Sequence, residues 1–247
     1  MKRTINNFPL AATPLAAPLL ALGLFAAISL VAGNEASAGK IQYQKVNLSI
    51  TSEGVPVDMD EDGIDDVVFS IGGRPDSGEF CMVTPMPGGG VVASGLFAEG
   101  LGYEQPISAR RTWVEKPSYL LLTQPVGDPL GDWATPGAEA FVGVRVYKEP
   151  GVWNYGWVRV KNVGGPGVFH DFVLRDWAME WQSDTPIVTP RYGDVDMNGQ
   201  VNVNDLLTVL SDWGACSARP PCYGDVNGDE MVDVTDLLAV IGNWTTP

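Results

Sequence analysis

The chain has 247 residues, of which 30 are acidic and 15 are Lys or Arg, so its formal net charge is -15. Nucleic acids and anionic membranes bind basic protein surfaces, so this composition argues against both as partners. With 45% apolar and only 18% charged residues, the chain can still bury a core and is not typical of a disordered acidic tail. We therefore expect the acidic residues to be concentrated at particular places.

Residues 1–38 have the features of a secretory signal peptide. Lys2 and Arg3 precede an apolar run at 15–31, and the Ala-Ser-Ala sequence at 36–38 supplies the small residues of a cleavage site. A retained membrane anchor is disfavoured, because two prolines leave the apolar run shorter than the roughly 20 residues of a spanning helix. We expect cleavage after Ala38, a secreted protein that is extracellular or at the cell surface, and no membrane span after cleavage.

Short β-rich runs separated by Gly and Pro fill residues 39–186. Apolar and polar residues alternate at 141–147 and 155–160, and no long helical periodicity competes with this pattern. We predict a mainly β fold, with an antiparallel β-sandwich or jelly-roll-like domain at 39–186. A linker at 187–191 then leads into a small α-helical calcium module at 192–247. The predicted strands lie at 46–50, 65–71, 80–84, 91–95, 118–123, 140–147, 155–163 and 172–181.

The C-terminal part contains an internal repeat with an offset of 31 residues. Gly193-Asp194 aligns with Gly224-Asp225, Leu206-Leu207 with Leu237-Leu238, and Trp213 with Trp244. Each copy reads as a polar loop followed by a short helix, because apolar residues recur at helical spacing at 206, 207, 210 and 213. We expect the two helices to bury these apolar stripes against each other.

Each copy begins with the oxygen-ligand spacing of an EF-hand calcium loop; we call residues 194–205 loop II and residues 225–236 loop III. Odd positions direct side chains inward, and position 7 contributes its backbone carbonyl. Hard oxygen ligands favour Ca²⁺ over zinc, and solvated acidic turns without metal are the alternative. The predicted loop II ligands are Asp194, Asp196, Asn198, Gln200, Asn202 and Asp205. Those of loop III are Asp225, Asn227, Asp229, Met231, Asp233 and Asp236.

Loop III departs from the pattern at position 6, where Glu230 replaces the usual glycine. A non-glycine residue with positive φ is strained, so we expect the second site to be weaker or distorted.

A third acidic segment, residues 58–66, has a similar spacing and is called loop I. Its six acids would repel one another without a cation, so we expect bound Ca²⁺ here rather than a bare acidic turn. Position 12 is Phe69, so any ion would lack the closing carboxylate of an EF-hand. The predicted ligands are Asp58, Asp60, Asp62 and Asp66.

The two copies, 193–214 and 224–244, resemble the duplicated calcium-binding segments of type I dockerin domains. The shared features are the EF-hand-like loop, Asp at position 12 and one following helix. This resemblance implies bound Ca²⁺ and a cohesin-like or other extracellular protein as partner. Loop positions 10 and 11, usually Ser or Thr in cohesin-binding dockerins, are Val203-Asn204 and Val234-Thr235 here. The N-terminal part resembles uncharacterised secreted bacterial β-domains that pair an early D-x-D-x-D-G turn with a late Tyr-Gly-Trp strand, here at 155–157.

Two of the three cysteines, Cys216 and Cys222, lie between the repeats. In an exported protein this spacing favours a small disulfide that fixes the inter-repeat turn. Cys81 is expected to be a buried apolar residue rather than a nucleophile, since no sequence feature places it near His170, the only histidine.

The sequence predicts a secreted calcium-binding protein whose dockerin-like module mediates attachment or assembly, with a non-catalytic β domain. Because dockerins often accompany polysaccharide-degrading enzymes, a glycoside hydrolase acting in polysaccharide catabolism is the alternative. It would need two facing carboxylates. No paired motif occurs among the available acids, which are Glu99, Glu104, Glu115, Glu139, Glu149, Asp171, Asp176 and Glu180.

Carbohydrate binding is a further alternative, because exposed aromatic rings can stack on sugars. The candidates are Trp113, Trp133, Trp153, Trp157, Trp177 and Trp181. We assign Trp157 to the core with Tyr155 on the same strand face, and leave Trp153 and Trp181 open.

Overall fold

Strands dominate the computed structural model, which describes residues 40–74, 78–124, 128–164, 171–216 and 222–245. These residues all belong to one compact unit, Ala38–Pro247. The predicted signal peptide and His170 lie outside the described residues. Among the helices described, none combines the length and the apolar character that a membrane span requires.

The prediction of a mainly β fold is confirmed, and each of the eight predicted runs contributes a strand. The strands are β1 Ile41–Ser49, β2 Val55–Val57, β3 Val67–Arg74, β4 Gly78–Pro85, β5 Gly90–Ser94, β6 Phe97–Ala98, β7 Gly100–Leu101, β8 Pro106–Ile107, β9 Trp113–Val114, β10 Ser118–Leu122, β11 Glu139–Glu149, β12 Val152–Asn162, β13 Phe172–Glu180, β14 Ile187–Val188, β15 Gly214–Ala215 and β16 Met231–Val232. The helices are α1 Val203–Ser211 and α2 Val234–Gly242.

The main sheet follows the order β1-β13-β12-β11-β5-β6-β10-β4-β3-β2, with β7 and β9 paired beside this path. Its long strands are antiparallel neighbours, and β12 lies between β11 and β13. Loop I connects β2 to β3 at one end of the order, and β1 forms the other end. Within the predicted linker, β14 pairs with β8, and Thr189 Oγ1 donates to the carbonyl of Gly102.

Alternation along the strands divides the β part between two cores. On β12, Val158 and Val160 join the larger core, whereas Tyr155 and Trp157 face the other side of the sheet. The assignment of Trp157 and Tyr155 to the same buried face is therefore confirmed. The second face is aromatic, because Phe141 packs edge-on against Trp157 with ring centroids 5.2 Å apart.

The two C-terminal repeats contact each other at equivalent positions. Gly214 pairs with Val232 in the short β15–β16 ladder, and Thr245, 31 residues after Gly214, donates its N–H to the carbonyl of Val201. The tail of each repeat therefore binds the loop of the other. A small valine-rich core lies between them.

The expected burial of the helical stripes is wrong. On α1, only Asp205 and Val209 are buried and Leu206 is half-buried, whereas Leu207 and Leu210 are exposed. The reason is geometric: 205, 206 and 209 share one helix face, while 203, 207 and 210 form a second stripe about 100° or more away. The first face alone packs against the small valine core.

Candidate metal sites and an exposed apolar ridge

Loop II brings three of its predicted ligands together. Carboxylate oxygens of Asp194, Asp196 and Asp205 lie within 4.8 Å of one another. Asp194 Oδ1 accepts the N–H of Asn198 at 3.1 Å, and Asp194 Oδ2 accepts that of Gly199 at 2.9 Å. The loop is therefore wrapped around the carboxylate at its first position.

Asp205 both closes loop II and begins α1. Its Oδ1 accepts the N–H groups of Val195 at 2.7 Å and Asp196 at 3.1 Å. Its Oδ2 accepts the N–H of Asn202 at 2.8 Å, which completes a capping box with Asn202 as the N-cap. Asn202, a predicted ligand at position 9, thus has a structural role as the helix cap.

Loop III repeats this arrangement. Asp236 accepts the N–H groups of Val226 at 2.8 Å, Asn227 at 3.1 Å and Asp233 at 2.9 Å. Position 3 is an asparagine, and no three carboxylates of loop III come as close together as those of loop II among the described residues. Gln200 and Met231, predicted to contribute carbonyls, donate their N–H groups to the position 5 side chains.

Glu230 does adopt the positive φ that was expected to strain loop III, with a value of 71°. Position 4 of the same loop is Gly228, at φ 74°. In loop II the residues are exchanged: Met197 at position 4 has φ 58°, and Gly199 at position 6 has φ 85°. Each loop therefore holds one glycine and one strained residue. The expected distortion is absent from the hydrogen bonds of loop III, and its weaker binding remains a prediction.

Loop I gathers Asp58, Asp60 and Asp62 in the same way, with carboxylate oxygens within 4.8 Å. Asp66 Oδ2 accepts the N–H of Met59 at 2.7 Å. This is the bond from position 2 that Asp205 accepts in loop II, here accepted by position 9 of loop I. Asp66 is not among the three carboxylates of loop I that lie within 4.8 Å of one another, whereas Asp205 belongs to the corresponding group of loop II. The expectation that an ion in loop I would lack the closing carboxylate of an EF-hand remains a prediction.

The charged form of two carboxylates in these loops is disfavoured by their surroundings. Burial raises the pKa of Asp66 to about 7 and that of Asp194 to about 6, and neighbouring carboxylates reinforce both shifts. Backbone N–H donors oppose the rise without cancelling it. A cation bound among the carboxylates would favour their charged form, and several oxygens at this spacing suit a hard divalent ion.

A lysine of the main sheet lies beside each loop. Lys148 of β11 forms an ion pair with the buried carboxylate of Asp60 in loop I. Lys45 of β1 donates to the carbonyl of Val195 in loop II at 2.9 Å. Lys161 of β12 packs against Gly228 in loop III. The sequence gives no signal for these contacts, because the residues that meet are distant along the chain.

A cavity of about 350 Å³ lies between the sheet and loops II and III. Lys45 and Arg175 line it from strands of the sheet, Tyr103 lines it from the turn after β7, and Asp194 and Asp225 line it from the loops. Near it, the structure joins Cys216 to Cys222 by a disulfide. Cys81 is free and fully buried, as expected, and burial raises the pKa of its thiol.

Both helices present an exposed apolar stripe, and we call the two stripes together the apolar ridge. Its most exposed members are Leu207 at 57% and Leu238 at 60%, which are equivalent positions of the repeat. The full set is Val203, Leu207, Leu210 and Trp213 in the first copy and Val234, Leu238, Ile241 and Trp244 in the second. Such a repeated apolar surface is unusual for a free protein face.

Most of the candidate catalytic acids are engaged by arginines in the structure. Arg111 pairs with Glu99, Arg191 with Glu104, Arg145 with Glu115, and Arg159 with both Glu139 and Asp176. Among the tryptophans, Trp133 and Trp177 are buried, Trp113 and Trp153 are half-buried, and Trp181 is 36% exposed.

Comparison with known proteins yields no identification: no family model, no curated protein and no solved structure matches this chain.

Proposed function

We propose that this protein is a secreted calcium-binding protein whose C-terminal repeats form a dockerin-like module for attachment or assembly with another extracellular protein. Its β part is of the antiparallel sandwich or jelly-roll type and has a non-catalytic role. The observation that carries the proposal is the apolar ridge, which repeats at equivalent positions of two helices beside the acidic loops.

Calcium is the ion that these loops suit best. All three loops combine a position 1 aspartate that accepts backbone N–H groups with a later aspartate that accepts the position 2 N–H. The side-chain donors are oxygens, which favour Ca²⁺ over transition metals. In this proposal, calcium neutralises the loop carboxylates and stabilises the two helices that carry the ridge.

The ridge is suited to binding a protein. Exposed leucines and tryptophans gain free energy when a partner removes them from water, and aromatic side chains are enriched at the centres of interfaces. The acidic loops beside the ridge favour a partner whose apolar surface is bordered by basic residues.

The calcium part of the proposal predicts that a chelator lowers the stability of the purified chain. Calcium at about 100 times its dissociation constant would add about 2.7 kcal/mol per site that binds only the folded state. Calorimetry in excess Ca²⁺ and in EGTA, with Mg²⁺ as the control ion, measures this. An identical melting transition in Ca²⁺ and EGTA would contradict calcium binding.

The attachment part is tested by retention of secreted proteins on the immobilised chain. A partner should be retained by the unaltered chain in Ca²⁺, lost in EGTA, and lost in the Leu207→Asp, Leu238→Asp double variant. Mixing the purified partner with each variant then measures affinity directly. Equal affinity for the unaltered chain and the double variant would exclude the ridge.

Carbohydrate binding by the β part is a second candidate, favoured by the partial exposure of Trp181, whose Nε1 donates to Gln42. Glycan-array binding that is lost in Trp181→Ala would support it. Reducing-sugar release from polysaccharides, abolished by substituting a single Asp or Glu, would instead favour the hydrolase alternative.

A further inference from the structure

Two properties of the loops themselves give no reason for loop III to be the weaker calcium site. Backbone strain is matched, since each loop holds one non-glycine residue at positive φ, Met197 in one and Glu230 in the other. The number of carboxylates among the predicted ligands is four in loop III and three in loop II. Charge counting alone would make loop III the tighter site.

The surroundings of loop III differ from those of loop II because a buried cation faces loop III. Lys161 is only 6% exposed, and its ammonium has no hydrogen bond or ion pair with another described residue. Its Nζ would lie 2.6 Å from a Cβ at Gly228, so the ammonium rests directly on position 4 of the loop. Glu139 Oε2 lies 3.5 Å from the same point but forms no ion pair with Lys161.

Arg175 of β13 adds a second positive charge. It lines the cavity together with Asp225 and Glu230 of loop III and Asp194 of loop II, and its guanidinium has no ion pair within the described part of the chain. Burial raises the pKa of Asp225, and the charges of Arg175 and Lys161 both oppose that rise. Both cations therefore act on the carboxylate at the first position of loop III.

The lysine that contacts loop II, Lys45, is in a different arrangement. Its Nζ donates to the carbonyl of Val195 and lies 3.6 Å from the centre of the Tyr223 ring. The charge of Lys45 is thus engaged by a neutral carbonyl and an aromatic face. Lys45 therefore differs from Lys161, whose ammonium has no such partner among the described residues.

We propose that Lys161 and Arg175 together make loop III the weaker of the two C-terminal calcium sites, so that loop II fills first. This inference rests on the proposed calcium function. A positive charge near a bound divalent cation raises the free energy of the occupied loop, so its removal should tighten binding about five- to tenfold. The β sheet then sets the calcium concentration at which the second repeat becomes loaded.

Calcium titration of the full chain, by calorimetry at physiological ionic strength, tests the proposal. The titration should resolve separate classes of calcium sites. The class that is lost in the double variant Asp225→Asn, Asp229→Asn is the one that belongs to loop III. Lys161→Met, which keeps the length of the side chain, should tighten that class about five- to tenfold. Arg175→Gln, at a half-buried position, should tighten that class as well and serves if Lys161→Met fails to fold. Lys116→Met, in the exposed turn before β10, is the matched control and should leave the class unchanged.

Glu230→Gly separates the proposal from backbone strain. Glu230→Gln removes the same acidic charge but leaves a non-glycine residue at position 6. We expect the calcium affinities of loop III in Glu230→Gly and Glu230→Gln to differ by less than twofold. Tightening in Glu230→Gly but not in Lys161→Met and Arg175→Gln would overturn the proposal. The absence of any saturable calcium class in the unaltered chain would instead overturn the calcium function itself.

Discussion

At the scale of single residues, the closing carboxylates have more structural importance than their role as predicted ligands suggests. Asp205 is fully buried and accepts three backbone N–H groups, all from its own loop, and the last of them belongs to Asn202, the N-cap of α1. Asp236 does the same in the second repeat. Each aspartate therefore connects a loop to a helix whether or not an ion is bound.

Asp205→Ala should lower the free energy of unfolding by about 2–4 kcal/mol, because it leaves three backbone donors without their acceptor. Urea unfolding in EGTA measures this effect apart from calcium. Asn204→Ala, an exposed neighbour, should change the stability by less than about 0.5 kcal/mol. A loss below about 1 kcal/mol in Asp205→Ala would show that water satisfies these donors instead.

Glycine has a comparable role where the two repeats touch. A Cβ at Gly224 would lie 2.9 Å from the Cα of Val209, and one at Gly193 would lie 3.3 Å from the Cα of Val240. The repeated Gly-Asp pair thus combines the close contact between repeats with the first carboxylate of each loop. The sequence alignment revealed the pair but not the reason for its glycine.

At the scale of elements, each helix has a buried face and an exposed face that composition alone does not distinguish. Leu206 and Leu207 are adjacent and identical in chemistry, yet only Leu206 packs against the valine core. The apolar period indicated a helix at this position. Which leucine is buried was decided by the capping box, which fixes Asp205 inward and therefore sets the rotation of α1.

Leu206→Ala should therefore lower the free energy of unfolding by about 1–3 kcal/mol, whereas Leu207→Ala should change it by less than about 0.5 kcal/mol. Leu237→Ala and Leu238→Ala form the matched pair in the second repeat. Chemical denaturation of the four variants makes the comparison. Similar losses at 206 and 207 would mean that the ridge is buried in solution, for example by self-association, which sedimentation would detect.

At the scale of the whole molecule, the C-terminal repeats are held against the β part by contacts from the edge strand. Lys45 donates to Val195 and lies over the ring of Tyr223, and the rings of Tyr103 and Tyr192 meet at a centroid distance of 4.9 Å. These contacts join parts of the chain that are far apart in sequence. They give the repeats a fixed neighbour that supplements their small core.

The unaltered chain should accordingly unfold in one calorimetric transition. Lys45→Met removes both the hydrogen bond and the cation–π contact, so it should separate the unfolding of the repeats from that of the β part. Lys40→Met, an exposed substitution of the same kind, should keep a single transition. Two transitions in the unaltered chain would indicate that the repeats and the β part fold independently.

Local patterns predicted the eight longest strands and both helices because period 2, period 3.6 and turn residues act over a few neighbouring positions. The eight shorter strands, including β14 in the predicted linker, were not predicted. The same locality explains why the loops could be predicted as candidate sites: their ligand spacing is contained within 9 or 12 consecutive residues. In loop I, the hydrogen bond that Asp66 accepts from Met59 could not be predicted, because it follows from the folded path of the loop and not from a position in a motif.

By itself, the sequence determined the mainly β architecture, the duplicated loop-helix unit and the acidic residues that could hold metal. Only the tertiary structure decided which helix face remains exposed, and which cations stand beside each loop. These features depend on contacts between residues that are distant in sequence. Lys161 and Gly228, for example, are 67 positions apart (228 minus 161), so no local sequence pattern indicates their contact. The acidity of the sequence thus marks the loops, whereas the lysines of the sheet distinguish one loop from another.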